Sequence, residues 1–398
     1  MNLKRQLCYL NLFGFVTCLR IPDAIWVVLL AARGFSLWQI GLAEGIFHVV
    51  SLLSEIPSGM AADLLGRRRC LAAAGVCGFI SAVVMALSAG FPGVCLSMVF
   101  SALACSFISG CDEAVLYDSL LQAGAEKEYL SVSGRYIQIQ NLGSMLSNAA
   151  CFLAGMMSYV GVYLLDSAVC LVRVLLALGL TEPAVTKNQA ARQKDPFRDL
   201  RKRFREHVAE VLSFLRGNPR AAVLMMGDGL IGLPSYLTLM FLQQRLSEQG
   251  IGAMWLGLPV MCISLSRMAG VALGERLRPK GMRRLYAAAA LLVGAGTVAA
   301  GTAPVIPSVL GAMAAAAAMD LWILHLQKHL NSLFPSDRRA TLVSVNMMAY
   351  SLLMIAASPL VGWLGDLGGS AGTGLCALGA AVALSGIFSL LFRCDGVN

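Results

Sequence analysis

The residues best suited to chemistry in this sequence are ionisable groups set inside long apolar runs, where a charge is costly and is normally paired or put to use. Arg20 and Asp23 are three residues apart, on roughly one helical face, with Pro22 between them. Pro22 frees a backbone carbonyl and predicts a kink. The pair suits binding of a substrate or proton, or simple self-neutralisation. Asp112 and Glu113 are adjacent carboxylates that face different sides of a helix, with Tyr117 one turn beyond Glu113 and Arg135 the nearest cation in sequence. A carboxylate there without a cation is a proton carrier; with one, it belongs to a structural or gating cluster. Asp228 lies in Gly227-Asp228-Gly229-Leu230-Ile231-Gly232-Leu233-Pro234, a locally weak helix, and is a candidate for coupling or gating. Tyr236 and Thr238 follow and are candidate ligand contacts. Asp320 has His325 about one and a half turns on, a spacing that could relay protons. His329, nearer the end of its run, reads as an inert histidine. Asp166 and Arg173, seven apart, read as a structural pair. Gln138, Gln140, Asn141 and Asn148 offer amides either to a polar ligand or to neighbouring helices.

The elements that must hold these groups follow from composition. The chain has 398 residues, 58% apolar and 13% charged, against about 25% charged in a soluble domain. That excludes disorder, a secreted disulfide scaffold and a nucleic-acid-binding globule. A spanning helix needs about 20 mostly apolar residues. Twelve candidates occur, at 7–31, 37–59, 70–90, 94–121, 135–159, 162–181, 221–244, 251–274, 283–301, 306–330, 340–364 and 371–392. The expected fold class is therefore an all-α membrane protein of two six-helix halves, 1–181 and 221–398. The connection 182–220 carries Phe197, Leu200, Phe204, Val208, Val211, Leu212 and Leu215 as one apolar stripe among arginines. It reads as an amphipathic tether on the membrane surface. Trp38, Trp255 and Trp363 stand near outer span ends, as interface anchors do.

Charge sorts by membrane face. With twelve spans, the N-terminus, the even-numbered turns and the C-terminus hold 26 of the 31 Lys and Arg, and the opposite turns hold Arg33 and Arg245. The positive-inside rule makes that basic side cytoplasmic, with both termini on it. The net charge of +9 thus marks a membrane face and implies no nucleic-acid partner. The twelve cysteines lie mostly in apolar runs without CxxC spacing, so they read as small buried hydrophobes. No metal, disulfide or cofactor role is expected. HExxH and P-loop motifs are absent from the sequence, and neither an enzyme nor a nontransporting receptor is expected.

The halves look like copies. An offset of 212 carries Pro22 to Pro234, Glu55 to Arg267 and Asp63 to Glu275. Glu55 and Arg267, opposite in charge at matching places, suit salt bridges between halves. After the second span comes Gly59-Met60-Ala61-Ala62-Asp63-Leu64-Leu65-Gly66-Arg67-Arg68-Arg69, and its degraded counterpart has Gly270, Gly274, Glu275, Gly281, Arg283 and Arg284, with three extra residues. The first string closely resembles the G-x-x-x-D-x-x-G-R-R loop of the major facilitator superfamily. The resemblance covers essentially the whole chain and implies repeated halves with binding at their interface. It also implies that Gly59, Asp63, Gly66, Arg67 and Arg68 form a cytoplasmic latch whose partner is the start of the eleventh span, Ser336-Asp337-Arg338-Arg339-Ala340-Thr341. Arg20-Ile21-Pro22-Asp23-Ala24-Ile25-Trp26, Glu55-Ile56-Pro57 and the Asp112–Asp118 stretch resemble a little-characterised bacterial branch that implies no substrate. The Arg-x-x-x-x-x-Gly element of proton antiporters is missing from the fourth span.

These readings converge on a secondary active transporter in the cell (cytoplasmic) membrane, working by alternating access on a small-molecule substrate. It is expected to be a monomer, with a proton as coupling ion and export as direction. The alternative is a lipid or amphiphile flippase on the same fold.

Overall fold

The computed structural model describes residues 2–154, 156–183, 216–279, 281–333 and 339–391, with isolated positions between 205 and 213. The apolar stripe expected over 197–215 falls almost wholly outside them. Among the described residues there are fourteen α-helices and two short 3-10 turns. Long apolar runs form helices because a helix satisfies every backbone N–H and C=O locally, which hydrocarbon cannot do.

The first expected span is two helices, α1 (Leu3–Cys18) and α2 (Trp26–Ala32), and the second is α3 (Leu37–Leu65). Next come α4 (Arg67–Leu87), α5 (Phe91–Ile108), α6 (Cys111–Gln122), α7 (Tyr129–Ala154) and α8 (Tyr159–Gly179). The later part holds α9 (Pro219–Glu248), α10 (Gly257–Arg276), α11 (Met282–Thr302), α12 (Val305–Leu333), α13 (Arg339–Leu367) and α14 (Ala371–Leu391). Among the described residues ten helices, with α5 and α6 taken as one run, are long and apolar enough to cross a bilayer. The chain is a multi-pass membrane protein. The two expected spans outside that set are the first, cut into pieces of 16 and 7 residues, and α7, which carries Gln138, Gln140, Asn141 and Asn148.

Two compact units divide the chain: Met1–Asp23 with Ile46–His207, and Ala24–Gly45 with Val208–Asn398. In the first, α4 packs on α5 and α8, and α1 on α7 and α8. Its core gathers Leu10, Phe13, Leu71, Leu116, Leu120 and Tyr136. In the second, α11 packs on α12 and α14, and α10 on α12, around the fully buried Trp322. Gly294 lies so close to the Gly379 carbonyl that a Cβ there would collide; small residues let helix backbones approach in this way.

Ala24–Gly45 is grouped with the second unit. There α2 packs on α9. The first amides of α3, at Leu37 and Trp38, donate to the Asp366 carboxylate at 2.9 and 2.8 Å, a helix N-terminus capped by a distant acid. A Cβ on Gly41 would strike the Ser358 carbonyl and one on Gly362 the Leu37 carbonyl.

Candidate functional site

The expected kink at Pro22 is a complete break between α1 and α2. Several of the backbone groups at the break have side-chain partners. The Ile21 amide donates to Asp166 at 3.2 Å, and the Arg20 amide to the Ser147 hydroxyl at 3.1 Å. Ser147 in turn donates to the Arg20 carbonyl. Arg173, 5% exposed, donates to the Thr17 carbonyl at 3.4 Å. Asp166 and Arg173 therefore clamp the break instead of pairing with each other. Seven residues put them on one face but about 10 Å apart along the axis. Arg20 does pair with Asp23, Nε to Oδ1 3.3 Å, and both are half-open, in a turn instead of a helix.

The fourth expected span is also broken, at Ser109–Gly110, where Gly110 has φ +72°. Asp112 and Glu113 thus fall in the first turn of α6. Asp112 is buried, and its carboxylate accepts from the Tyr136 hydroxyl at 2.8 Å and the Gln140 amide at 3.4 Å. Arg135 is exposed and is not the partner expected from sequence: Tyr136, beside it, turns inward. Glu113 is exposed.

The basic turn is tied within the first unit. Gly66, φ +92°, precedes α4. The amides of Arg67 and Arg68 donate to Glu182 at 2.9 and 2.8 Å. Arg67 pairs with buried Asp118, and Arg68 donates to the Leu178 carbonyl. Asp63 is half-buried near the end of α3, and Glu55 is exposed. Gly59 lies inside α3 with no described atom near a Cβ placed on it, so the turn belongs to Gly66 alone. The expected latch partner, 336–341, lies outside the described side chains.

In the second unit Asp228 joins three helices. Its carboxylate accepts from Trp322 Nε1 of α12 at 3.0 Å and from the Asn346 amide of α13 at 2.8 Å. Among the described residues no cation pairs with it. The other amide atom of Asn346, Oδ1, is buried without a hydrogen-bond partner. Arg267 pairs with Asp320 through two bonds, 3.1 and 3.2 Å; its partner thus lies in its own unit. This fork is a strong geometry. The Asp320–His325 relay is not assembled, since five residues turn the two about 140° apart on the helix. His325 instead faces the Leu321 and Leu277 carbonyls at 3.0 and 3.3 Å. The Tyr236 hydroxyl donates to Glu44 at 3.3 Å. Glu275 is exposed at the end of α10.

The sequence model of the Major Facilitator Superfamily matches residues 9–329. The chain belongs to this superfamily. Solved structures of transporters in the same fold align over nearly the whole chain. The nucleoside transporter NupG is 16% identical, covering 99% of this chain and 100% of its own, with a TM-score of 0.78. The xylose transporter XylE from E. coli, in an inward-open conformation, is 14% identical, covering 98% and 96%, at 0.70. A peptide transporter, POT, is 13% identical, covering 97% and 93%, at 0.72. No curated protein sequence matches the chain.

Within this superfamily member, sequence reading passed over several site residues. Glu44, 3% exposed, is a carboxylate in an apolar run and carried the same signal as Asp228. Glu182 and Asp366 lie at span ends, where an acid looks ordinary. Trp322 and Asn346 carry no sequence signal, because their role comes from a partner 94 or 118 residues away.

Proposed function

We propose that this transporter moves a small polar solute by alternating access and couples that movement to protons, with twelve crossings and both termini cytoplasmic. The observation that carries the coupling is Asp228, a mid-helix carboxylate held by two neutral donors and by no described cation. Asp320 and Asp118 are each neutralised by an arginine. Asp112 is also held by neutral donors, but it occupies the first turn of α6, where the helix dipole favours negative charge. Asp228 lacks that compensation. Its charge is therefore one that a proton relieves.

A proton on Asp228 turns one acceptor atom into a donor and loosens the ties from Trp322 and Asn346. States of the transporter that hold these helices differently then change in relative stability. A polar solute as cargo is supported by the nucleoside, xylose and peptide transporters that share the fold.

The test is flux into proteoliposomes for a panel of nucleosides, sugars and short peptides, with and without a pH gradient. The wild type should accumulate at least one class in response to the gradient. Asp228→Asn should cut gradient-driven accumulation by about tenfold or more, while solute exchange without a gradient persists. Wild-type accumulation by Asp228→Asn, at equal incorporation, overturns coupling through this residue.

A further inference from the structure

The second copy of the basic turn has no described carboxylate beside its arginines. Gly281, φ +135°, precedes α11 as Gly66 precedes α4. In the first copy Asp118 pairs with Arg67, and Glu182 takes the amides of Arg67 and Arg68. Among the described residues no carboxylate pairs with Arg283 or Arg284.

Arg283 is nevertheless held in place. Its Nε donates to the Ser389 carbonyl at 2.5 Å and its Nη2 to the Leu390 carbonyl at 2.7 Å, both at the end of α14. Two of its five N–H groups are used, so three donors remain on a cation that is already oriented. Beside it opens a groove of about 800 Å³ between α9, α11 and α14. Val223, Leu230, Leu384 and Phe388 line it, and the Tyr286 hydroxyl on its wall is bonded to Ser385 at 2.9 Å. The groove is thus apolar along its length and carries one fixed positive charge among its lining residues.

We propose that this groove binds an anionic phospholipid, with an acyl chain against α9 and α14 and the phosphate on Arg283. An alkyl chain matches the apolar walls, and a negative headgroup matches a guanidinium with no carboxylate beside it among the described residues. Basic pockets between membrane helices on the cytoplasmic side hold anionic headgroups in this manner. The lipid phosphate brings a negative charge to a guanidinium that is held only by carbonyls among the described residues. The site does not depend on proton coupling at Asp228.

Native mass spectrometry of the full chain, with phosphatidylglycerol and phosphatidylcholine titrated in competition, tests this. The wild type should retain the anionic lipid about tenfold more strongly, the size of one charge-assisted contact. Arg283→Gln should erase that preference, and Arg278→Gln, an exposed neighbour, should leave it intact. Leu384→Trp should block the groove and reduce retention of both lipids without altering the arginine. Millimolar inorganic phosphate should not displace the lipid; complete displacement would overturn the acyl-chain part of the proposal. Equal retention of the two lipids by the wild type, or an unchanged preference in a folded Arg283→Gln, overturns the site.

Discussion

The turns before α4 and α11 are built on the same backbone and finished with different chemistry. Each starts from a glycine with positive φ. Each sends an arginine to the end of a later helix: Arg68 to the Leu178 carbonyl and Arg283 to that of Leu390. Leu178 and Leu390 are 212 positions apart, the offset seen in the sequence repeat. The neighbouring position has diverged. Arg67 pairs with Asp118 in the first unit, whereas the matching positions in the second are Met282, packed against its apolar cluster, and Leu330, within it. The arginine-to-carbonyl tie is therefore the shared architecture. The Arg67–Asp118 pair belongs to the first turn, and Arg283 in the second has no carboxylate beside it among the described residues.

The largest effect that could break this comparison comes from the ion pair. Asp118→Asn leaves the Arg67 charge without its partner and should destabilise the protein by about 3 kcal/mol, read as a fall in melting temperature in detergent. Copying the second repeat, Arg67→Met with Asp118→Leu, should recover most of that loss, because an apolar pair of similar volume can replace a buried ion pair. A double variant as unstable as the single one would show that the two turns are not interchangeable. The glycines come next. Alanine at either position meets a backbone region essentially reserved for glycine, at about 1–3 kcal/mol. Gly66→Ala also pushes its Cβ into the Glu182 carboxylate, whereas a Cβ on Gly281 has no described neighbour. Thermal unfolding should place Gly66→Ala lower than Gly281→Ala by about 1 kcal/mol, the worth of a helix cap. Equal losses would mean that Glu182 adds nothing to the first turn. The smallest effect is Glu182→Gln, which removes one charge from the start of α4. It should cost about 0.5–1 kcal/mol in low salt and less in high salt, where screening weakens the helix-end interaction.

Much of the fold could be read from the chain because apolar runs report helices directly. The breaks were harder. Pro22 marks the first and suggested a kink, but the full separation of α1 from α2 depends on Asp166 accepting from the Ile21 amide and on Ser147 and Arg173 donating to the Arg20 and Thr17 carbonyls. The break before α6 has only Gly110 as a local sign, within an otherwise apolar run. Site residues divided the same way. Asp112, Asp228, Arg267 and Asp320 stood out as charges in apolar surroundings, but their partners did not follow from proximity. Arg135 looked like the cation for Asp112, and Tyr136 took the place. Glu55 looked like a counterpart of Arg267, and Asp320 is bonded to it. Glu44 was visible by the same criterion and went unread.

The amino-acid sequence alone determined that this chain is helical and membrane-embedded. These properties are local: each run must satisfy its own backbone in hydrocarbon, and each turn meets a headgroup layer. Only the tertiary structure decided which charges are cancelled. Asp118 and Asp320 each meet an arginine, Asp228 meets Trp322 and Asn346, and Arg283 meets two carbonyls. Those outcomes turn on a few ångströms between helices far apart in sequence, a distance that residue spacing along one helix does not encode.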